Sequence, residues 1–263
     1  MTTASETCTI TTPDGTTLRY TEAGAGDPAI LFLHGWCCSR NDWRGQFPHF
    51  AANRRCLALD QRGHGESDKP DQDYTISGFV EDAAHLIREL GLDRPVVVGH
   101  SMGGVIALNL ARAHPDLVRA IVMIDSPVVP LPETLTGTLE ATLAGFQSPA
   151  YLDVAEGFIR AFMFNTDSPP DLATDVITGM KKAAQRLMLT AIADTLAPAS
   201  MAAGTIPIPA FYIRAATSIW TQHELTERYP GLDVQTLGCA HFVQLEKPNE
   251  TNQLIAAFIK DLA

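Results

Sequence analysis

The chain has 263 residues, 46% of them hydrophobic and 19% charged, with a formal net charge of −11. That is enough for one large α/β domain, with or without an inserted subdomain, and enough apolar material to fold without disulfide or metal staples. The acidic balance argues against nucleic acid or an anionic membrane as the main partner, since both select basic surfaces.

Met1 to Thr12 is polar and lacks the basic and apolar regions of a signal peptide, and no apolar run approaches the length of a membrane span. The five cysteines are an odd number with no C-x-x-C pair; Cys37 and Cys38 are adjacent, and Cys8, Cys56 and Cys239 are scattered. This usage fits a reduced compartment, so a cytoplasmic location is expected. Thr7 to Thr12 and Thr16 to Glu22 read as a hairpin around Pro13-Asp14-Gly15. Ala29 to Leu33 and Arg55 to Leu59 read as apolar strands, the second ending at Asp60. Helical spacing in Phe79, Ala83, Leu86, Ile87 and Leu90 predicts a helix from Thr75 to Leu90 that stops at Gly91. Val96 to Val98 is a further strand, and the run from Met102 to Ala113 is a helix that ends near His114-Pro115. Ala120 to Ile124 is the next strand and ends at Asp125.

The pattern then changes. From about Val128 to Ser200 there are helical stripes (Phe158, Ile159, Phe162 and Met163; Leu187, Met188 and Ile192), many prolines and no good strand. Strands return at Pro209 to Ala215 and Leu232 to Leu237, and a last helix is expected from about Glu250 to Leu262. The division expected is a core in 1–127 and 201–263 with a helical cap in 128–200. Alternating strands and helices predict a mostly parallel sheet with helices on both faces.

Between the strand at Val96 and the helix at Met102 lies Gly99-His100-Ser101-Met102-Gly103, a G-x-S-x-G sequence. A serine on a tight strand-to-helix turn has strained torsions, and its hydroxyl stands at a helix N-terminus. Bulk two positions to either side would clash, hence the two glycines. This context makes Ser101 the candidate nucleophile.

Four segments in order carry a resemblance to the α/β-hydrolase fold family over nearly the whole chain. They are Leu31-Phe32-Leu33-His34-Gly35-Trp36, the run from Leu59 through Asp60-Gln61-Arg62-Gly63-His64 to Ser67, the serine turn, and Gly238-Cys239-Ala240-His241-Phe242. The resemblance implies that fold, with a cap inserted after strand six, and a nucleophile–acid–histidine chain order. It makes His241, followed by Glu246-Lys247-Pro248, the base. The usual place for the acid, after strand seven, holds no carboxylate here: it reads Tyr212 to Trp220. Asp125 at the end of strand six is the expected acid, as in a few branches of the family; Glu224 is the rival, with Asp194 and Asp233 weaker. The oxyanion donors implied are the backbone N–H groups of Met102 and Trp36.

Of the other histidines, His34 and His64 are expected to orient loops and His100 to pack under the serine turn. None of the eight has a metal-ligand spacing. Asp60 and Arg62 are expected in a turn network, and Cys37 and Cys239 as packing. Trp36, Phe162, Met163 and Trp220 are the candidate substrate-binding side chains, with Trp43 and Phe164 as further contributors. The function expected is hydrolysis of a small apolar ester or lactone through a Ser-His-Asp triad and an acyl-enzyme, with no cofactor or metal implied. Two alternatives use the same residues: a cofactor-free ring-cleaving dioxygenase, and a small-ligand receptor with vestigial turnover. The assembly state is open between a monomer and a homodimer.

Overall fold

The computed structural model describes residues 5–262, so the start of the polar N-terminal stretch and Ala263 lie outside the described residues. The expected hairpin is β1 (Glu6–Thr11) and β2 (Thr17–Ala23), paired antiparallel. Its turn needs glycine, because Gly15 has φ of +88°. The remaining strands are β3 (Ile30–Leu33), β4 (Cys56–Asp60), β5 (Val96–His100), β6 (Ala120–Ile124), β7 (Ala210–Ala215) and β8 (Asp233–Leu237). They form one eight-stranded sheet in the order β1-β2-β4-β3-β5-β6-β7-β8. Apart from the antiparallel β1–β2 and β2–β4 pairs, every neighbouring pair is parallel. The strands β3 to β6 are buried along their whole length, which is why they read as unbroken Val/Ile/Leu runs and not as alternation.

The helices are α1 (Phe47–Ala51), α2 (Ile76–Glu89), α3 (Met102–Ala113), α4 (Thr136–Phe146), α5 (Tyr151–Met163), α6 (Pro170–Met180), α7 (Gln185–Thr195), α8 (Gln222–Arg228), α9 (Val243–Glu246) and α10 (Pro248–Lys260). Thr75 caps α2 by accepting from the Gly78 N–H at 3.2 Å, and Gly91, at φ of +57°, follows its end. The last helix starts two residues before the expected Glu250, because Pro248 takes the first helical position, where its missing N–H costs nothing. Short α1 and α9 carry too few periodic positions to be seen in a sequence.

Each face of the sheet is covered. On one, Leu31, Val97 and Met123 pack with Phe79 and Leu86 of α2, Val105 and Leu108 of α3, and Phe146, Ile159 and Met188 of the helices between β6 and β7. On the other, Phe32, Val98 and Ile124 pack with Trp43, Phe50 of α1 and Ile255 and Ile259 of α10. Between β6 and β7 the described residues form helices α4 to α7 and no strand. These helices lie over the carboxyl ends of β5 to β7, where strand order in a parallel sheet leaves a crevice for ligands.

Candidate active site

Ser101 occupies the joint between β5 and α3 with φ of +51° and ψ of −119°. A serine stays in this strained region only where its surroundings over-determine it. Its N–H donates to the Ile124 carbonyl at 2.9 Å, which continues the β5–β6 ladder past the last strand residue. The close approach of α3 to the sheet does the rest. A Cβ on Gly99 would overlap the Gly103 carbonyl, one on Gly103 would overlap the Leu33 carbonyl, and one on Gly104 would overlap the Ser126 hydroxyl. The glycines around Ser101 are thus steric requirements.

Asp125 follows β6 and also has positive φ, +41°. This turn directs its carboxylate between two partners. Oδ2 lies 2.7 Å from His241 Nδ1, and Oδ1 accepts from the Ala215 N–H at 3.1 Å. The Asp125 and His241 side chains are only 5% and 14% exposed, so the pair is largely shielded from water. β7 therefore contributes a backbone donor to the carboxylate at the place where the sequence lacks an acid. The Tyr212 hydroxyl donates to the Ser126 carbonyl at 2.7 Å and braces the turn after Asp125. The other acids are occupied elsewhere. Glu224 closes a capping box with Thr221 at the start of α8, Asp194 accepts from the Ile76 N–H at 2.6 Å, and Asp233 is exposed at the start of β8.

The loop after β3 runs against this centre: a Cβ on Gly35 would sit 3.3 Å from Ser101 Cβ. Among the described residues the backbone N–H groups of Trp36 and Met102 have no protein acceptor. Unpaired N–H groups beside a nucleophile are what a developing oxyanion requires. Two buried histidines fix the loop. His64 Nε2 accepts from the Cys37 N–H at 3.2 Å while its Nδ1–H donates to the Arg62 carbonyl at 2.9 Å. His34 Nε2 accepts from the Gln61 N–H at 3.1 Å, and its Nδ1–H donates to the Gly35 carbonyl at 2.8 Å. Cys37 is held at φ of +56°. Asp60 accepts from the backbone of Arg40 and Glu66 and pairs with the Arg40 guanidinium, while Arg62 pairs with Asp82 and Asp14.

Both loop histidines are neutral because they are buried: desolvation pushes His34 down to about 4 and His64 down to about 3. In the unfolded chain each takes up a proton near pH 6.5. Between the two values the unfolded state binds more protons, so stability is lost as pH falls from about 6.5 toward 4. Each histidine is expected to remove about 2 kcal/mol of stability between about pH 7 and pH 5. Urea unfolding at both pH values checks this. His64→Gln, which keeps an acceptor for Cys37, should lose about 2 kcal/mol less than wild type over that interval; an equal loss in both would refute the assignment.

Ser101, Asp125 and His241 border one cavity of about 110 Å³. Its walls are apolar side chains of the helical segment between β6 and β7 (Leu135, Leu139, Phe158, Met163, Ile192) and the loop Thr217 to Trp220 after β7. Phe162 and Ile219, the exposed large hydrophobics among the described residues, also line it. Of the candidate substrate-binding residues, Phe162, Met163 and Trp220 are in the wall and the Trp36 ring is not. The Trp36 indole lies behind the wall, donating to the Met188 carbonyl at 3.0 Å and packing on Phe146 and Phe158. Trp43 packs on Phe32 on the far side of the sheet, and Phe164 stacks on Phe242; neither lines the cavity. A larger polar hollow of about 360 Å³ beside Arg40, Asp60 and Glu66 contains none of the three candidate catalytic residues. Among the described residues no cluster of side chains has the makings of a metal site, and no helix is long and apolar enough to cross a membrane.

The profile of the alpha/beta hydrolase fold family matches residues 28–170, and the chain belongs to that family. Within it, the chain is 37% identical over 167 residues to a non-heme chloroperoxidase of Streptomyces lividans, a segment covering 59% of this chain and 60% of that protein. A bromoperoxidase of Bacillus anthracis superposes with a TM-score of 0.84 at 21% identity, covering 97% of this chain and all of the other (100%). The enol-lactonase of Burkholderia xenovorans superposes with a TM-score of 0.79 at 20% identity, covering 94% of this chain and 98% of the other. At such identities the structural likenesses define the fold. The matched segment spans 60% of that chloroperoxidase's length and less than a third of the epoxide hydrolases of Caenorhabditis elegans and Sus scrofa that the chain also resembles.

Proposed function

We propose that this protein is a serine hydrolase that cleaves a small apolar carboxylic ester or lactone through an acyl-enzyme. The observation that carries the proposal is the 2.7 Å contact between Asp125 and His241 in the apolar cavity that Ser101 also borders. Asp125 holds His241 by Nδ1, so Nε2 is the nitrogen left to take the proton from Ser101. The Ser101 oxygen attacks the carbonyl, and the Trp36 and Met102 N–H groups receive the oxyanion. His241 returns the proton to the leaving alcohol as the carbonyl–oxygen bond breaks. It then deprotonates a water that releases the acid and regenerates Ser101. In this reading residues 128–200 act as a cap over the core, and its Leu, Phe and Met side chains select the apolar part of the substrate. The lactonase fold relative is compatible with a cyclic substrate.

Intact-protein mass spectrometry during turnover of a panel of p-nitrophenyl esters and aryl lactones tests the proposal. A mass increase equal to the acyl group, mapped to Ser101, is the expected result. Turnover without an adduct on Ser101 would refute it. Oxygen consumption with a hydroxyquinolone-type substrate would replace it with the dioxygenase chemistry, and tight binding of a small ligand with negligible turnover would replace it with a receptor.

A further inference from the structure

The loop that carries His241 is closed by a second carboxylate, which the three-residue scheme does not use. Glu246 ends α9, the single turn after that loop. Its Oε2 accepts from the Ala240 N–H at 3.3 Å, one residue before His241, and from the Ser168 hydroxyl at 3.3 Å. Ser168 belongs to the turn between α5 and α6, is 7% exposed, and is held by Asn165 Oδ1, which accepts from its N–H at 2.9 Å. One oxygen thus ties the loop of the base to the cap. The other, Oε1, is buried and has no partner among the described residues. A buried carboxylate oxygen without a donor is costly, and such groups persist where a charge is of use.

The surroundings show what that charge faces. Asp125 meets His241 at Nδ1 from the end of β6. His100, from the end of β5, packs tilted against His241 with ring centroids 4.7 Å apart, and its Nε2–H donates to the His241 carbonyl at 2.9 Å. Burial pushes His100 well down, so it is neutral and adds no charge. Burial also pushes the Glu246 carboxyl up, while the Ala240 and Ser168 donors, His241 and Lys247 favour the ionised form. Cys239, on the same loop, is pushed up to about 12 by burial, with Glu246, Asp125 and Glu250 adding to the effect, and stays an uncharged thiol.

We propose that Glu246 is a positioning residue for His241: it clamps the loop through Ala240 and adds a second negative charge to the loop that carries the imidazole, while Asp125 is the carboxylate in direct contact with the ring. The proposal deepens the acyl-enzyme reading, since the charge is needed when His241 becomes an imidazolium, and it rests on that reading for its use in turnover.

The test is an NMR titration of the His241 imidazole, which needs no substrate. Removing a negative charge from this loop makes the imidazolium less favourable, so Glu246→Gln should move the His241 titration to lower pH than in the wild type. Glu246→Asp keeps the charge and should retain most of the wild-type value. Ser168→Ala removes the tie to the cap but keeps the charge, and should leave the value in place. The acid limb of the kcat/KM profile should move to lower pH with Glu246→Gln by the same amount. An unchanged His241 titration in Glu246→Gln would overturn the proposal, as would an equal fall in Ser168→Ala. If Glu246→Gln does not fold, a His241 value that falls in Glu246→Ala but not in Glu246→Asp decides for it, and equal values decide against. A missing Ser101 adduct would sink the acyl-enzyme reading and leave this titration to stand or fall separately.

Discussion

Asp125→Asn is expected to lower kcat about 10⁴-fold with the fold intact, while Glu224→Gln changes it less than about twofold. The difference follows from what each carboxylate touches. Asp125 accepts at both oxygens, from Ala215 and from His241. An amide in its place keeps the shape but presents a donor on one side. Oriented to suit Ala215, it turns that donor toward His241 Nδ1 and favours the wrong tautomer, with the proton on the nitrogen that must take one from Ser101. Glu224 is half-buried, and its Oε2 caps the Thr221 N–H at 2.7 Å. Its loss costs about 1 kcal/mol of local helix stability and nothing in the cavity. Steady-state kinetics on whichever ester or lactone the panel identifies, with circular dichroism to establish folding, compares the two variants. An active Asp125→Asn beside a dead Glu224→Gln would move the acid to α8.

Ser101→Ala carries the larger loss, about 10⁶-fold in kcat. A residual rate of about 10³ over water should survive, because the two backbone donors and the apolar walls remain. Stability should change little: alanine has the same Cβ, so the strain at φ of +51° is the same before and after. KM should stay near the wild-type value, since the hydroxyl acts on the bond being broken and not on the substrate's apolar part. Loss of affinity with a preserved kcat would instead make Ser101 a binding group and not the nucleophile.

The elements that converge on the cavity were legible because short local patterns write them. The serine turn needs glycine at 99 and 103 to let α3 approach the sheet, and steric demands of that kind leave a fixed spacing in the chain. Asp125 was reachable by a negative observation, the lack of any carboxylate from Tyr212 to Trp220, joined to the adjacency of two strands. Its positive φ was not legible, because only glycine advertises that torsion. The place of the Trp36 ring was not legible either. Its partners Phe146, Phe158 and Met188 lie over 100 residues away, in the helices between β6 and β7. The stripes on α5 and α7 show which positions are apolar, but not which of them meet the sheet and which meet the cavity. Leu135, Leu139 and the loop Thr217 to Ile219 reach the wall from segments whose helical or loop character says nothing about where they point.

In the proposed mechanism, an acid at the end of β6 also divides the labour of the two segments around the cavity. Asp125 is joined through Ser126 and Pro127 to the helical segment between β6 and β7, and the Tyr212 hydroxyl braces that junction. The loop after β7 supplies Thr217, Ser218, Ile219 and Trp220 to the wall and no candidate catalytic side chain. Arg214 anchors it by donating to the Trp220 carbonyl at 2.6 Å and the Ser218 carbonyl at 3.1 Å. For protein engineering this separates a region to randomise from one to leave alone. A saturation library at 217–219 samples new cavity shapes while Ser101, Asp125 and His241 keep their own sequence. Exchanging residues 128–200 instead alters the chain that leaves Asp125 through Ser126 and Pro127.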